Sequence, residues 1–406
     1  MGTVGTSGTG ADRLRVAIAG CHRQVTRQPG SHNWATAFAA VEATAIVAVY
    51  DAGEATRRQF VDCWAQDAAA AGPAGIAAYD DFGRMLEEVR PDILCVATRQ
   101  TQHAAQVEAA VAAGVRGVLC DKPLATSLAE VERIVGACRE ANVPLAFGLD
   151  RRWTGRYRWA REVVAGGAVG QVAGVIAYSL QNLINHGCHW YDVALALAGD
   201  PEVAWVSGLV DDVSAEPPDS NRRRDPSGRA QIGLANGATL YVTPDGKPGL
   251  AFEVLGDRGR LLLLNDGREA YLWQAAAPAG PVRLVAPEAA GLPAQPATPE
   301  GWEAGPNAVA DLVAAVRSRD GAGAGGTQTA CDVEAARRAS EIGFAVHASS
   351  AAGGQRVAIA AVDRSLSIPS FLWGNEEAGA PGRRSAPPRP QRRSRRRPRR
   401  TRSPTA

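Results

Sequence analysis

Between Leu14 and Asp150 five short apolar runs alternate with longer helical stretches, and this alternation restricts the fold more than any other feature of the chain. The runs are RVAIAG, AIVAVYD, DILCVAT, GVLCD and PLAFGLD. Continuous apolar runs of this kind mark strands covered on both faces, as in a parallel sheet. The segments between them carry helix ends. Thr101 to Ala113 stops at Gly114, and Ser127-Leu-Ala-Glu130 opens a helix with Leu128, Val131, Ile134, Val135 and Cys138 on one face. The pattern predicts an α/β domain over residues 14–149, built as a doubly wound parallel sheet of the Rossmann type.

After Asp150 the pattern changes. A basic, aromatic helix from about Trp153 to Ala165 leads to a strand, Val172 to Leu180, and a helix from about Cys188 to Ala198. Strand candidates then follow in succession: Val203 to Val210, Ala230 to Leu234, Thr239 to Thr243, Leu250 to Leu255, Arg260 to Leu264 and Ala270 to Trp273. Their D-G, N-G and D-R-G turns predict a large, mostly antiparallel, open-faced sheet in an α+β domain over residues 150–372. Two late helices, about Asn307 to Ser318 and Asp332 to Ser349, close it. Asp211 to Gly228 and Ala275 to Gly301 read as loops, residues 1–13 as a disordered N-terminus and 373–406 as a disordered tail rich in Arg and Pro.

The formal charge of +2 over 406 residues hides an asymmetry. Eleven arginines and no acid lie between Arg383 and Arg402, so residues 1–382 hold 33 basic against 42 acidic side chains, a net of −9. The tail has no aromatic residue and no amphipathic period, so it reads as an incidental extension ahead of a nucleic-acid arm. Seven scattered cysteines (21, 63, 95, 120, 138, 188, 331) show no metal-ligand or disulfide spacing and point to a reducing, cytoplasmic setting. No 18-residue apolar run and no signal-peptide core is present, which argues against membrane insertion or secretion.

The first strand ends at Gly20 and the second at Asp51, an acid placed to bind the ribose hydroxyls of NAD and to repel the 2′-phosphate of NADP. The G-x-G-x-x-G fingerprint is incomplete: counted from Gly20, His22 and Val25 stand at the second and third glycine positions. The loop is long, with Ser31 as the expected N-cap of the next helix and Arg23 and Arg27 as substitute phosphate contacts. This motif alone leaves nucleotide binding and a purely structural unit equally open.

Only two of the 44 basic residues are lysines, Lys122 and Lys247, and Lys122 sits in Cys120-Asp121-Lys122-Pro123, between a strand end and a capped helix. This block, from VATRQTQH through DKPLATSLAEVERIV, resembles the Gfo/Idh/MocA family of glucose-fructose oxidoreductase and inositol dehydrogenase, whose strand-end motif is Glu/Asp-Lys-Pro. A second landmark, His186-Gly-Cys-His189-Trp-Tyr-Asp192, resembles the family's G-x-H-x-x-D segment. The resemblance covers about residues 14 to 370.

What it implies is hydride transfer between a nicotinamide and a hydroxyl-bearing carbon of a sugar, cyclitol or related polyol, with NAD as cofactor and NADP as the alternative. His189 is the expected proton acceptor, His186 its competitor, and Lys122 the group that stabilises the alkoxide or shares the proton. Asn185 stands where many polyol dehydrogenases of the family carry Asp, and with Arg152 and Asp192 it is assigned to the substrate. Gly20, Cys21, His22, Asp51, Thr98, Arg99, His103, Asp121, Lys122 and Pro123 are assigned to the cofactor, and no residue to a metal. Gln100 adjoins this set, and Arg151 is balanced between a solvated helix and a ligand role. Trp153, Tyr157 and Trp159 read as packing. Family likeness also implies a homodimer or homotetramer. Two other readings stay open: an NAD-dependent glycosidase of the same fold, and a non-catalytic member with impaired cofactor binding.

Overall fold

The runs read as strands do form strands, and the first of them sits at the centre of a parallel sheet. In the computed structural model β1 (Leu14–Ala19) is followed by α1 (Trp34–Ala39), β2 (Thr44–Tyr50), α2 (Glu54–Trp64), β3 (Ala77–Tyr79), α3 (Phe82–Val89), β4 (Ile93–Val96), α4 (Gln100–Ala112), β5 (Gly117–Cys120), α5 (Leu128–Glu140) and β6 (Leu145–Phe147). The model describes residues 13–370 apart from 68–69, 73, 245–248, 278–279, 298–302 and 323–325. Lys247, the N-terminal residues 1–12 and the tail 373–406 lie outside the described residues.

The six strands run in the order β3-β2-β1-β4-β5-β6 with all pairs parallel, a Rossmann arrangement. Val16, Ile18, Ile46, Leu94, Val96, Val118 and Leu119 are fully buried within it. Each contributes about 1.5–3 kcal/mol by leaving water, and this drive makes continuous apolar runs into central strands. β3 was not among the expected strands. It is a three-residue edge strand, too short to show a pattern of its own.

The second sheet follows: α6 (Gly155–Ala165), β7 (Val172–Tyr178), α7 (Gly187–Leu197), β8 (Val203–Val210), α8 (Asn221–Arg224), β9 (Gly228–Leu234), β10 (Thr239–Val242), β11 (Ala251–Gly256), β12 (Gly259–Leu264), β13 (Glu269–Ala275), β14 (Val282–Val285), α9 (Ala304–Ala322), α10 (Val333–Ala351) and β15 (Val357–Ala358). Its order is β14-β13-β12-β11-β7-β10-β9-β8-β15, antiparallel throughout except for the β7–β10 pair. One face buries Val175, Val206, Ile232, Leu240, Val254, Leu261 and Leu272; on the other Leu209, Tyr241 and Tyr271 stay exposed.

Two expectations need correction. The segment Ala275 to Gly301 is not all loop, because Val282–Val285 pairs with β13 as an edge strand. The late helices do not both close the second domain. α9 returns to the first sheet and packs on α1, β5 and β6, with Val316 and Leu312 filling the space above Gly117. α10 covers β8 and touches α5 and α7. The two sheets therefore share one compact unit.

Candidate active site

The C-terminal ends of β1, β4, β5 and β6 face a crevice at the point where strand order reverses between β1 and β4, the place where open parallel sheets bind their ligands. At the end of β1, Gly20 has a φ of 86°. A Cβ there would lie 2.5 Å from the carbonyl oxygen of Ala97, so this first fingerprint position requires glycine. Asp51 ties the loop down: its carboxylate accepts from the Cys21 N–H at 3.0 Å and the Gly53 N–H at 2.9 Å. Cys21 offers the site its backbone alone, since its thiol is buried; burial first, then Asp51, push that thiol's pKa up. His22 is exposed at the crevice.

The rest of this loop departs from expectation. Arg27 is drawn away from any phosphate: it donates to the Cys63 carbonyl at 2.9 Å, pairs with Asp67 at 3.3 Å and lies over the Trp64 ring. The cap of α1 is Asn33, whose Oδ1 accepts from the Thr36 N–H at 3.3 Å, and not Ser31. Ser31 instead donates to Asp150 Oδ2 at 2.8 Å. His32, at a φ of 62°, brings its Nδ1 to 2.6 Å from Asp121 Oδ1.

Beyond β4, Thr98 and Arg99 are half-buried at the start of α4, and Thr98 Oγ1 donates to Gln106 Oε1 at 2.6 Å. Gln100 is buried and donates to the Ser370 carbonyl. His103, assigned to the cofactor, is wholly buried beneath them. Its ring nitrogens face the carbonyls of Leu124 at 3.2 Å and Thr98 at 3.1 Å, and because burial lowers its pKa the neutral ring, with a single N–H, donates to one of the two.

Lys122 follows β5 through a cis bond to Pro123. Its Nζ donates to Asn185 Oδ1 at 2.8 Å, so the fold brings together two residues that the sequence offered separately, one for the alkoxide and one for the substrate. Burial pushes the lysine's pKa below its ordinary value. Asp121 beside it accepts from the Lys122 N–H at 2.8 Å. Burial works against the Asp121 carboxylate, but His32 and then Lys122 outweigh it and hold the pKa at about 2. Asn185 is itself fixed from behind: buried Asp225 accepts from the Ile184 and Asn185 N–H groups at 2.9 and 2.8 Å. Burial pushes the Asp225 carboxyl up to about 6. The Asn185 amide nitrogen has no partner among the described residues.

His189, in the first turn of α7, is only 5% exposed. Its Nδ1 lies 3.1 Å from a guanidinium nitrogen of Arg151 and 3.7 Å from Asp150 Oδ1. Its ring meets that of His32 edge-on at 5.7 Å between centroids. Burial, then Arg151 and Lys122, push its pKa well below the ordinary histidine value, so it is neutral at neutral pH. His186 caps α7 and contacts Asn182 Nδ2 through its Nδ1 at 3.2 Å. Burial and then Lys122 lower it to about 4.

Arg152 and Asp192 are not substrate ligands. Arg152 Nε donates to Asp192 Oδ1 at 2.6 Å, and its two terminal nitrogens grip Asp200 at 2.8 and 2.6 Å. Asp192 has no exposed surface and Arg152 is 2% exposed. The helical turn that separates His189 from Asp192 takes the carboxylate away from the crevice and into the joint between α7 and the turn Asp150–Trp153. Trp153, Tyr157 and Trp159 are buried as packing residues, with polar atoms bonded to Asp311, Asp266 and the Pro293 carbonyl.

Sequence reasoning missed Ser31, His32, Asp150, Asp225 and Asp266 as site residues. The signal for His32 was present, since a histidine preceding a helix cap on the first βα loop must lie near the strand ends. Asp266 is a β12–β13 turn residue that accepts from Arg151 Nε at 2.8 Å. Nothing in its D-G turn sequence separates that role from turn formation.

Taken together, the sheet order, the glycine at the end of β1 and the lysine and histidine facing the crevice define a two-sheet Rossmann protein with a nucleotide-type site. Residues 14–149 match the model of the Gfo/Idh/MocA family, described as an oxidoreductase family with an NAD-binding Rossmann fold. Among curated relatives, D-apiose dehydrogenase of Paraburkholderia graminis is 32% identical over 40% of this chain and 39% of its own. Myo-inositol 2-dehydrogenase of Thermotoga maritima is 31% identical over 23% of this chain and 28% of its own. The matched segments thus span well under half of these relatives. A levoglucosan dehydrogenase solved with NADH and levoglucosan shares the fold over 86% of this chain and 99% of its own, with a TM-score of 0.65 at 18% identity. An Agrobacterium radiobacter oxidoreductase solved with NAD+, L-tartaric acid and magnesium covers the same shares with a TM-score of 0.65 at 21% identity.

Proposed function

We propose that the chain is an NAD-dependent oxidoreductase that moves a hydride between the nicotinamide and a hydroxyl-bearing carbon of a sugar, cyclitol or related polyol. The observation that carries this reading is the hydrogen bond from Lys122 to Asn185 beyond the end of β5, with His189 close enough to feel the charge of Lys122, beside a domain that matches the NAD-binding Rossmann family. Relatives named for apiose, myo-inositol and levoglucosan support the substrate class. Residues 14–149 hold the dinucleotide and 150–372 supply the substrate side.

The chain's residues suit that cofactor. Gly20, Cys21 and His22 form the turn at the pyrophosphate position, with the Cys21 N–H held by Asp51, which lies at the adenosine ribose, and Thr98, Arg99, Lys122 and Pro123 border the nicotinamide. Arg57, the neighbouring arginine able to take a 2′-phosphate, is engaged at 2.5 Å by the Asp51 carbonyl, which favours NAD over NADP. When bound, the nicotinamide accepts or supplies the hydride. Lys122 and His189 grip the substrate oxygen, and Asn185 fixes the lysine. All seven cysteines are free, in keeping with a reducing compartment. Among the described residues no helix is long and apolar enough to cross a membrane.

Calorimetric titration with NAD and NADP, followed by a polyol panel read by nicotinamide absorbance, tests the proposal. Binding of NAD and reduction of it by one of the polyols is expected. Absence of binding to either nucleotide overturns the proposal in favour of a non-catalytic member. Glycoside cleavage without net NADH favours the glycosidase reading.

Subunits pair through the open face of the second sheet. Leu284 is 61% exposed there, beside Trp273 across the β13–β14 pair, and Tyr241 and Tyr271 lie along the same face. Leu284→Asp combined with Tyr241→Asp is expected to shift the mass measured by light scattering from dimer or tetramer to monomer. A monomeric wild-type protein sinks this assignment.

A further inference from the structure

Two histidines flank the crevice, each touched at the same ring atom by a different kind of partner. His32 Nδ1 lies 2.6 Å from the carboxylate of Asp121. His189 Nδ1 lies 3.1 Å from the guanidinium of Arg151. A guanidinium has donors and no acceptor, and it does not lose its proton in proteins. The contact is therefore a hydrogen bond only if His189 Nδ1 offers a lone pair. The competing arrangement, an Nδ1–H directed to Asp150, is too long at 3.7 Å to be a hydrogen bond.

Arg151 cannot easily turn aside. Its Nε donates to Asp266 Oδ1 at 2.8 Å and it lies 3.4 Å from Asp150 Oδ1, itself held by Ser31. The guanidinium is thus braced between the β12–β13 turn and the first βα loop, and the terminal nitrogen that faces Asp150 also faces His189.

We infer that Arg151 holds His189 as the Nε2–H tautomer, so that this imidazole meets the substrate oxygen as a hydrogen-bond donor and not as the proton acceptor. The inference deepens the hydride-transfer reading and rests on it for its chemical consequence. It exchanges the roles expected from the family resemblance, and Arg151 becomes a positioning residue. Burial and the cations Arg151 and Lys122 also disfavour a second proton on His189, as its lowered pKa reflects. The unpartnered amide nitrogen of Asn185, whose oxygen is taken by Lys122, is a second donor on this wall.

A neutral imidazole N–H stabilises negative charge on a substrate oxygen without giving up its proton. Lys122 is then the group that moves the proton. In the oxidative direction the hydroxyl proton passes to the neutral amine of Lys122. The C–H electron pair would leave as hydride to a bound nicotinamide as the oxygen lone pair completes the carbonyl, and the lysine ammonium would later return its proton to water. Reduction runs the same steps backwards.

Long-range nitrogen–proton NMR of the full chain with labelled histidine tests the inference without substrate or cofactor. The His189 and His32 signals are identified by their loss in His189→Gln and His32→Gln. In the wild-type protein His189 is expected to show the Nε2–H pattern over Nδ1–H by at least about tenfold, the bias a charge-assisted hydrogen bond confers. His32, facing a carboxylate, is expected to carry its proton on Nδ1 and serves as the internal contrast. In Arg151→Met the His189 bias is expected to be lost while the His32 pattern stays. An Nδ1–H or doubly protonated His189 at neutral pH, or a pattern unmoved by Arg151→Met, overturns the inference, and the wild-type spectrum decides even if that variant does not fold. Failure of the wild-type protein to bind NAD or turn over any polyol sinks the functional reading alone, because the tautomer is read independently of it.

Discussion

Lys122→Met is expected to lower turnover by about 10²–10⁴-fold, the range that a positioned proton-transfer group contributes, while the melting temperature stays within a few degrees of wild type. Methionine keeps the length and apolar stem of the side chain but removes the only group that faces Asn185 Oδ1 from the β5 loop. The backbone contact that shapes the loop survives, because the N–H of residue 122 still donates to Asp121. The loss should therefore fall on kcat and leave NAD affinity nearly unchanged. The pH dependence carries the sign of the proposed role. Burial lowers the lysine pKa, so the neutral amine accumulates as pH rises, and oxidation by the wild-type protein should climb on the alkaline side through a pKa below the ordinary lysine value. In Lys122→Met that limb should vanish. Intact turnover in the variant, or an unchanged alkaline limb, would remove Lys122 from the chemistry.

How much of this was readable beforehand depends on the range of the interaction involved. The parallel sheet follows from the apolar runs because burial on both faces is written into each strand separately, and the DKP lysine stands out because the chain uses arginine nearly everywhere else. His189 and Asn185 were legible as a local segment on α7 and the loop before it. The braces behind them were not. Arg151 meets Asp266 across 115 residues, Asn185 meets Asp225 across 40, and Ser31 meets Asp150 across 119. Each of those carboxylates looks in sequence like an ordinary turn or loop acid, and only the closure of the second sheet on the first decides which turns point inward. Arg152 failed for the same reason in reverse. In a run of arginines and aromatics it reads as cleft-facing, whereas the turn at Asp150–Trp153 directs Arg151 to the crevice and Arg152 into the joint. β14 was lost because four residues in a segment rich in Pro, Ala and Gly become a strand only by pairing with an existing edge.

Arg152→Leu is expected to destabilise the protein by about 3–5 kcal/mol, the loss seen when one partner of a buried ion pair is removed, with normal hydride-transfer chemistry in whatever fraction remains folded. The arginine neutralises two acids at once, Asp192 through Nε and Asp200 through its terminal nitrogens, and it also donates to the Ala330 carbonyl at 3.2 Å. Leucine fills much of the volume but leaves Asp192, which is wholly buried, with one oxygen already unpartnered among the described residues and the other reached by the Cys331 thiol. By the usual scaling for a folded unit of this size, the melting temperature should fall by roughly 4–7 °C. The deficit should depend on pH in a definite direction. Burial raises the Asp192 carboxyl to about 6 even with Arg152 present, so its folded pKa lies above its unfolded one. Such a group contributes stability when protonated and loses it as pH rises through the folded value, and removing the guanidinium raises that value further. Differential scanning calorimetry should therefore find a larger gap between variant and wild type at about pH 8 than at about pH 5. A variant that melts like wild type at both, but shows a raised KM for the polyol, would return Arg152 to the substrate and contradict the buried joint described here.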